Sequence, residues 1–321
     1  HLSIRRQRQM CIRDRIGAGP SGITAIKNFK DQGFEVIAFE RCSGVGGNWR
    51  YNDPSGHSSV FETTHIISSK YTSYYEDFPL PENAADYPSH KELLEYFQAY
   101  TDHFDLDKNI KFNTEVVHCS QDNSHKWKVK WRELNDTQVL EEEFDALVVC
   151  NGHHHEPRYP NYPGKFSGEY LHSHEYKKAA PFADKKVLVI GGGNSACDVA
   201  VETARISKTT ALSWRRGYYL IPKFMFGLTS DIFALKARWI PRFLRLPFMK
   251  FMLELIQGKN EDIGLPKVTN HILATHPTVN SDLYNAVRHG KVKPKCDIER
   301  FDGKTVYFQD GTHEKFDAVI A

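Results

Sequence analysis

Two strand–turn–helix stretches with spaced glycines, and an acid closing the strand after the first, predict an α/β fold with two dinucleotide-binding, Rossmann-like domains. The glycines stand at Gly17-x-Gly19-x-x-Gly22 and Gly191-x-Gly193-x-x-Ala196, and the acid is Glu40. A chain of 321 residues suits about two domains. Its 40% hydrophobic and 26% charged content is that of a globular protein able to bury a core.

Charge and cysteine usage exclude other classes. With 42 basic and 40 acidic residues the net charge is +2, which gives no reason to expect nucleic acid or a strongly charged partner. Six cysteines (Cys11, Cys42, Cys119, Cys150, Cys197, Cys296) are scattered without a C-x-x-C pair. That favours a reduced, cytoplasmic compartment over a disulfide framework or a zinc site. No apolar run reaches the roughly 18 residues of a membrane span, and the start lacks the apolar core of a signal peptide.

The two ends read differently from the rest. The first fifteen residues, HLSIRRQRQMCIRDR, stand where a buried parallel strand should lead into Ile16 and Gly17. Arg13, Asp14 and Arg15 fall on positions that belong to aliphatic residues, and burying such charges unpaired is costly. The expectation is a non-native start over residues 1–15, with a basic tail or targeting arm as the alternative. The other end, FDAVIA at 316–321, breaks off inside an apparent buried strand, as a fragment does.

Between these ends the elements follow in order. Residues 16–39 read as turn, helix and strand, with Gly33 at the helix end. Residues 41–89, rich in Gly, Ser, Pro and Tyr, suit a long functional loop region. Residues 89–104 form a helix with Ser89 as N-cap. Strands are expected over 110–118, 126–132 and 137–150, then a Pro-rich connection at 157–163. Residues 185–190 begin the second unit, and 304–321 around Asp310-Gly311 read as a hairpin.

The glycines carry the chemistry. The first of such a set permits a tight turn, the second lets backbone approach a pyrophosphate, and the third lets helix pack on strand. The phosphate then meets the positive end of the helix. Glu40 stands where an acid hydrogen-bonds an adenosine ribose. A second cluster, Gly44-x-Gly46-Gly47-Asn48-Trp49, suits a loop against a flat cofactor. In the second unit, Ala196 is an accepted third residue, and Ser213-Trp214-Arg215-Arg216 replaces the usual acid. Two guanidinium groups there match a 2′-phosphate and favour NADPH over NADH.

A further motif lies between the loops: Phe166-x-Gly168, then His172 and Tyr176. Its pattern, F-x-G-x-x-x-H-x-x-x-Y/F, together with the GGxW-like segment at 46–49, EDFPLP at 76–81 and the closing DGT…FDAVIA, resembles the flavin-containing monooxygenases. The similarity covers residues 16–321, although the ATGY segment into which such chains continue is missing. The resemblance implies an NADPH domain inserted in an FAD domain: FAD over 1–158, NADPH over 159–296, and a truncated return over 297–321. It implies an enzyme in which NADPH reduces FAD, O2 adds at the flavin C4a, and the hydroperoxide oxygenates a soft nucleophile such as an amine nitrogen or a sulfide. By motif match, Gly17, Gly19, Ser21, Gly22, Glu40, Asn48, Trp49 and His57 contact FAD. Gly191, Gly193, Asn194, Ser195, Arg215 and Arg216 contact NADPH.

One departure stands out. Family members often place an Asn near flavin C4a, before the DFP stretch; here that place holds Ile67, with His65 as a polar substitute. No catalytic residue is otherwise named. The alternatives are an uncoupled NADPH oxidase, a Baeyer–Villiger monooxygenase (disfavoured because Tyr176 stands where Trp is expected) and an inactive nucleotide-binding fragment. Partners are a small nucleophilic substrate and O2, with a homodimer an open alternative.

Three features are discounted. His153, His154 and His155 lack further ligands at metal-binding spacing. Cys42 lacks the second cysteine of a redox-active pair. Residues 233–257 are basic and amphipathic, as a helix lying peripherally on a membrane would be. Pro241 and Pro247 should break that stretch, which favours a helical insertion packed on the NADPH domain.

Overall fold

The computed structural model describes residues 13–272 and 278–321, with the side chains of 13–15 left aside. The chain divides into two compact units. One holds residues 13–64, Tyr75–Ala84 and Pro88–Glu156; the other holds His65–Tyr74, Ala85–Tyr87 and Pro157–Ala321.

In the first unit, β1 (Arg13–Ile16), α1 (Pro20–Asp31) and β2 (Val36–Phe39) form the expected strand–turn–helix–strand. α2 (His90–His103) starts at Ser89 with a full capping box: Ser89 accepts from the Glu92 amide, and Glu92 reaches back to the Ser89 amide. This exchange satisfies two of the amides a helix start leaves unpaired. Next come β3 (Ile110–Lys111), β4 (Thr114–Gln121), β5 (Trp127–Glu133), β6 (Leu140–Phe144) and β7 (Ala146–Val149). The parallel sheet runs β3-β2-β1-β7, while β4, β5 and β6 make an antiparallel meander. Phe39, Val129, Trp131 and Phe144 form one buried cluster that binds meander to sheet.

The start of the sheet pairs despite its charges. Residues 13–16 are the central strand, in parallel register with Val36–Phe39 on one side and Ala146–Val149 on the other. The backbone ladder accepts any residue but proline, so charged residues do not prevent pairing. The rest of the expected non-native segment lies outside the described residues.

The second unit begins with β8 (Gly164–Phe166) and β9 (Glu169–Leu171), followed by β10 (Lys186–Ile190), α3 (Asn194–Thr203) and β11 (Thr209–Ser213). Short pieces follow: β12 (Leu220–Ile221), β13 (Phe224–Met225), β14 (Leu228–Thr229), α4 (Ser230–Lys236) and α5 (Arg242–Gln257). β15 (Thr278–Val279), α6 (Leu283–Arg288), β16 (Val292–Lys295), β17 (Ile298–Gly303), β18 (Thr305–Phe308), β19 (His313–Lys315) and β20 (Ala318–Ile320) complete it. The five-stranded parallel sheet runs β16-β11-β10-β20-β9, and a second sheet runs β19-β18-β17-β8. Leu188, Ala211, Phe301, Val306, Phe308, Phe316 and Val319 belong to one core.

Two expectations are corrected here. Residues 297–321 do not return to the first unit; β20 pairs in parallel with β10 and β9 of the second. The expected hairpin therefore ends at Lys315, after which Ala318, Val319 and Ile320, all buried, join the parallel sheet. Pro247 does not break its helix either: α5 runs through it, begins just after Pro241, and buries Met249 and Leu253 against Ile221, Met225, Ile272 and Val279. Burial of that face offsets the hydrogen bond a mid-helix proline removes.

Candidate dinucleotide sites

At the C-terminal edge of the first parallel sheet lies a cleft of about 760 Å³. It is lined by Gly17, Gly19, Ser21, Glu40, Asn48, Trp49 and His57, seven of the eight residues predicted for the first site. Gly22, the eighth, is buried beneath them. A Cβ on Gly22 would stand 2.1 Å from the Gly17 carbonyl oxygen, so this glycine serves the turn itself. Gly17 has φ +100°, and a Cβ there would meet the Cys150 carbonyl oxygen at 2.5 Å. Only glycine tolerates both conditions.

Glu40 is 5% exposed and both its oxygens are engaged. Oε2 accepts from the Ala18 amide at 2.5 Å and Oε1 from the Cys42 amide at 2.7 Å. The acid thus braces the glycine loop while one side faces the cleft. Asn48 Oδ1 accepts from the amide and hydroxyl of Ser59, both at 2.8 Å, which fixes the loop bearing Trp49. Arg50 ties the same loop together: Nε donates to Asp53 at 3.0 Å and Nη1 to the Val45 carbonyl at 3.2 Å. Gly44 leaves room for that guanidinium, because a Cβ would stand 2.6 Å from Nη1. The burial of Cys42 and the Glu40 charge push its thiol up to about 12, which suits a packed side chain and not a thiolate.

Several lining residues were not predicted: Arg41, Thr114, Glu115, and the stretch from Cys150 through His155. The His57 ring stacks on His155, centroids 5.0 Å apart and 11° from parallel. The histidine run, weighed only as a metal site, is instead wall material of this cleft. A signal was available in its position directly after the predicted strand ending at 150, since ligands meet the carboxyl ends of parallel strands.

The second glycine loop links β10 to α3. Gly191 has φ +123° and donates its amide to the Ser213 carbonyl at 3.0 Å. Gly193 caps α3, and a Cβ there would meet nothing within 4 Å, so its approach is open. Asn194 and Ser195 form the first turn of α3. Beyond β11, Trp214 is buried while Arg215 and Arg216 are exposed. Arg216 Nε donates to the Tyr218 hydroxyl at 2.8 Å, which holds its guanidinium near that ring.

The motif between the loops is largely structural. Phe166 and Tyr176 are 7% and 1% exposed. A Cβ on Gly168 would strike the Asp317 carbonyl oxygen and the Phe166 ring, both at 2.6 Å. His172 Nδ1 accepts from the His174 amide at 3.1 Å; burial, then the neighbouring His174, lowers its pKa. Ile67 packs on the Met225–Met249–Leu253 cluster and lines a separate cavity of about 330 Å³ within the second unit, while His65 is exposed.

Fold and loops together define a two-unit α/β protein of the dinucleotide-binding class. The family model described as flavin-binding monooxygenase-like matches residues 11–321, and the chain belongs to that family. Flavin-containing monooxygenase 5 of Rattus norvegicus is 35% identical over 332 residues, covering 95% of this chain and 60% of that protein. The 4-hydroxybenzoate brominase (decarboxylating) of Marinomonas mediterranea is 32% identical, covering 95% of this chain and 61% of that protein. Among solved structures, the S-allyl-L-cysteine S-oxygenase of Allium sativum has a TM-score of 0.68 at 24% identity, over 96% of this chain and 61% of that one. The chain thus spans about 60% of the length of the curated relatives it matches.

Proposed function

We propose that the intact protein is an NADPH- and O2-dependent flavin monooxygenase that oxygenates a soft nucleophile, an amine nitrogen or a sulfide sulfur. The observation that carries this reading is the 760 Å³ cleft that gathers seven of eight predicted FAD contacts, in a chain of the flavin-binding monooxygenase-like family. The residues fit FAD: a Cβ-free turn at Gly17 and Gly19 for the pyrophosphate, Glu40 for the ribose, and Asn48, Trp49 and His57 along the rest of the cleft. NADPH fits the second loop through Gly191, Gly193, Asn194 and Ser195, with Arg215 and Arg216 on the 2′-phosphate.

Reduced flavin, once bound, supplies the activation of O2; the protein supplies placement and dryness. The glycine loops give amides to phosphate, Glu40 and Asn48 hold the loops rigid, and the arginines select the phosphorylated ribose. Ile67 lines the cavity of the second unit and not the cleft that gathers the FAD contacts, so the oxidase alternative rests on the family resemblance alone. Turnover of a simple thioether with NADPH tests both points. Sulfoxide formation in step with NADPH consumption supports the monooxygenase; peroxide alone, with no oxygenated product, refutes it in favour of an oxidase. Peroxide that falls when Ile67→Asn is introduced assigns the leak to that side chain.

Ketone turnover is the test of a Baeyer–Villiger reading, which Tyr176 disfavours. For location, no helix among the described residues is long and apolar enough to cross a membrane. α5 nonetheless exposes Phe243, Phe251 and Leu255 beside Arg242, Arg245 and Lys250, which favours peripheral attachment as a second reading to a cytoplasmic one. Co-sedimentation with anionic but not neutral vesicles supports attachment; no sedimentation with either excludes it.

A further inference from the structure

The second glycine loop is tied to a segment more than eighty residues further along the chain. Thr278, Val279 and Asn280, all buried, bond in turn to the loop and to the helix α3 that it opens. Thr278 Oγ1 donates to the Gly192 carbonyl at 3.1 Å. The Val279 amide donates to Asn194 Oδ1 at 2.7 Å, and Asn280 Nδ2 donates to Asp198 Oδ1 at 2.6 Å. Asn280 Oδ1 meanwhile accepts from the amides of Asp282 and Leu283, at 2.9 and 2.7 Å. Those two bonds orient the Asn280 amide so that its NH2 group must face the carboxyl. The segment is anchored from behind by the pairing of β15 with β12 and by the Asn280 amide donating to the Ile221 carbonyl at 3.0 Å.

We propose that this clamp holds the second glycine loop in its phosphate-binding form, and that Asp198, a positioning residue, takes up a proton from solvent as the dinucleotide phosphates bind. The inference rests on reading that loop as the NADPH site. A phosphate at the start of α3 lies about one helical turn, roughly 6 Å along the axis, from residue 198. A new negative charge at that range disfavours the carboxylate. Asp198 is poised for the change, because its burial already pushes its pKa up to about 6. The charged groups facing it are Lys223, which favours the anion, and Asp282 and Glu202, which oppose it. Above about pH 6 the free protein therefore carries the anion, binding recruits a proton, and affinity declines as pH rises further.

The experiment is calorimetric titration of the protein with NADP+ in two buffers of different ionisation enthalpy, across about pH 5.5–8. The same titration of Asp198→Asn subtracts the ionisation of the ligand's own 2′-phosphate. The expected result is a larger proton uptake by the wild type, with its affinity falling about threefold more over that range than the variant's, as a pKa rise of about half a unit gives. Equal proton counts in the two proteins overturn the proposal. Thr278→Val should weaken binding at every pH and leave proton uptake unchanged; unaltered affinity contradicts the clamp. If Asp198→Asn does not fold, Asn280→Ser reports instead. Loss of its donor raises the Asp198 pKa and moves the uptake maximum to higher pH, and an unmoved maximum counts against the idea. A wild type that binds no NADP+ at all refutes the underlying reading of the loop, and the inference falls with it.

Discussion

At the scale of single residues, the glycines and the charged groups near them carry different kinds of information. Gly17 and Gly22 are legible in sequence because steric exclusion leaves no other choice; at both, a Cβ would collide with backbone oxygen. Glu40 was expected to meet a ribose by its place, whereas its bonds to the Ala18 and Cys42 amides depend on a loop path that spacing alone does not define. Arg50, which binds three points of the loop around it, left no periodic signal, since its partners Ser43, Val45 and Asp53 are irregular in conformation. Arg215 and Arg216 give the sharpest residue-scale prediction. A charge-assisted hydrogen bond contributes about 1.5–3 kcal/mol. The double change to Ala should therefore weaken NADP+ binding by at least about tenfold while leaving NAD+ affinity nearly unaltered. Equal losses for both dinucleotides would remove the arginines from the 2′-phosphate.

At the scale of elements, local signals predicted what local forces determine. The helix after Ser89 was legible from that N-cap residue, and it runs where expected, with a capping box the structure adds. The strands over 185–190 and 126–132 were legible from apolar and alternating patterns. Residues 318–320 were legible as a buried strand but not in their partners, because long-range parallel pairing to Val187 and Glu169, and not the hairpin, places them. α3 carries a testable electrostatic cost. Because the Asp198 pKa is raised in the fold to about 6, its stabilising contribution is present below its unfolded value of about 4 and lost as pH rises through about 6. Asp198→Asn, which keeps an acceptor for Asn280, should therefore raise stability at pH 8 by about 1–3 kcal/mol and lose that advantage near pH 4. Thermal melts at the two pH values check this. An advantage independent of pH would mean that the charge is not the cause.

At the scale of the whole molecule, the doubling of one strand–turn–helix unit was the most legible property, because glycine spacing and strand context recur together at 16–40 and 185–213. The boundary near residue 157 was legible from its prolines. The inclusion of 65–74, 85–87 and the last twenty-five residues in the second unit was not, since contacts and not composition decide it. The proposed function requires that a dinucleotide bound at one glycine loop pass electrons to a flavin bound at the other. The most direct test is the visible spectrum of the purified protein, recorded before and after anaerobic NADPH and again in air. Oxidised-flavin absorption that bleaches with NADPH and recovers in air is the predicted result. Protein that carries no flavin and takes up none when FAD is added would contradict the account at its centre.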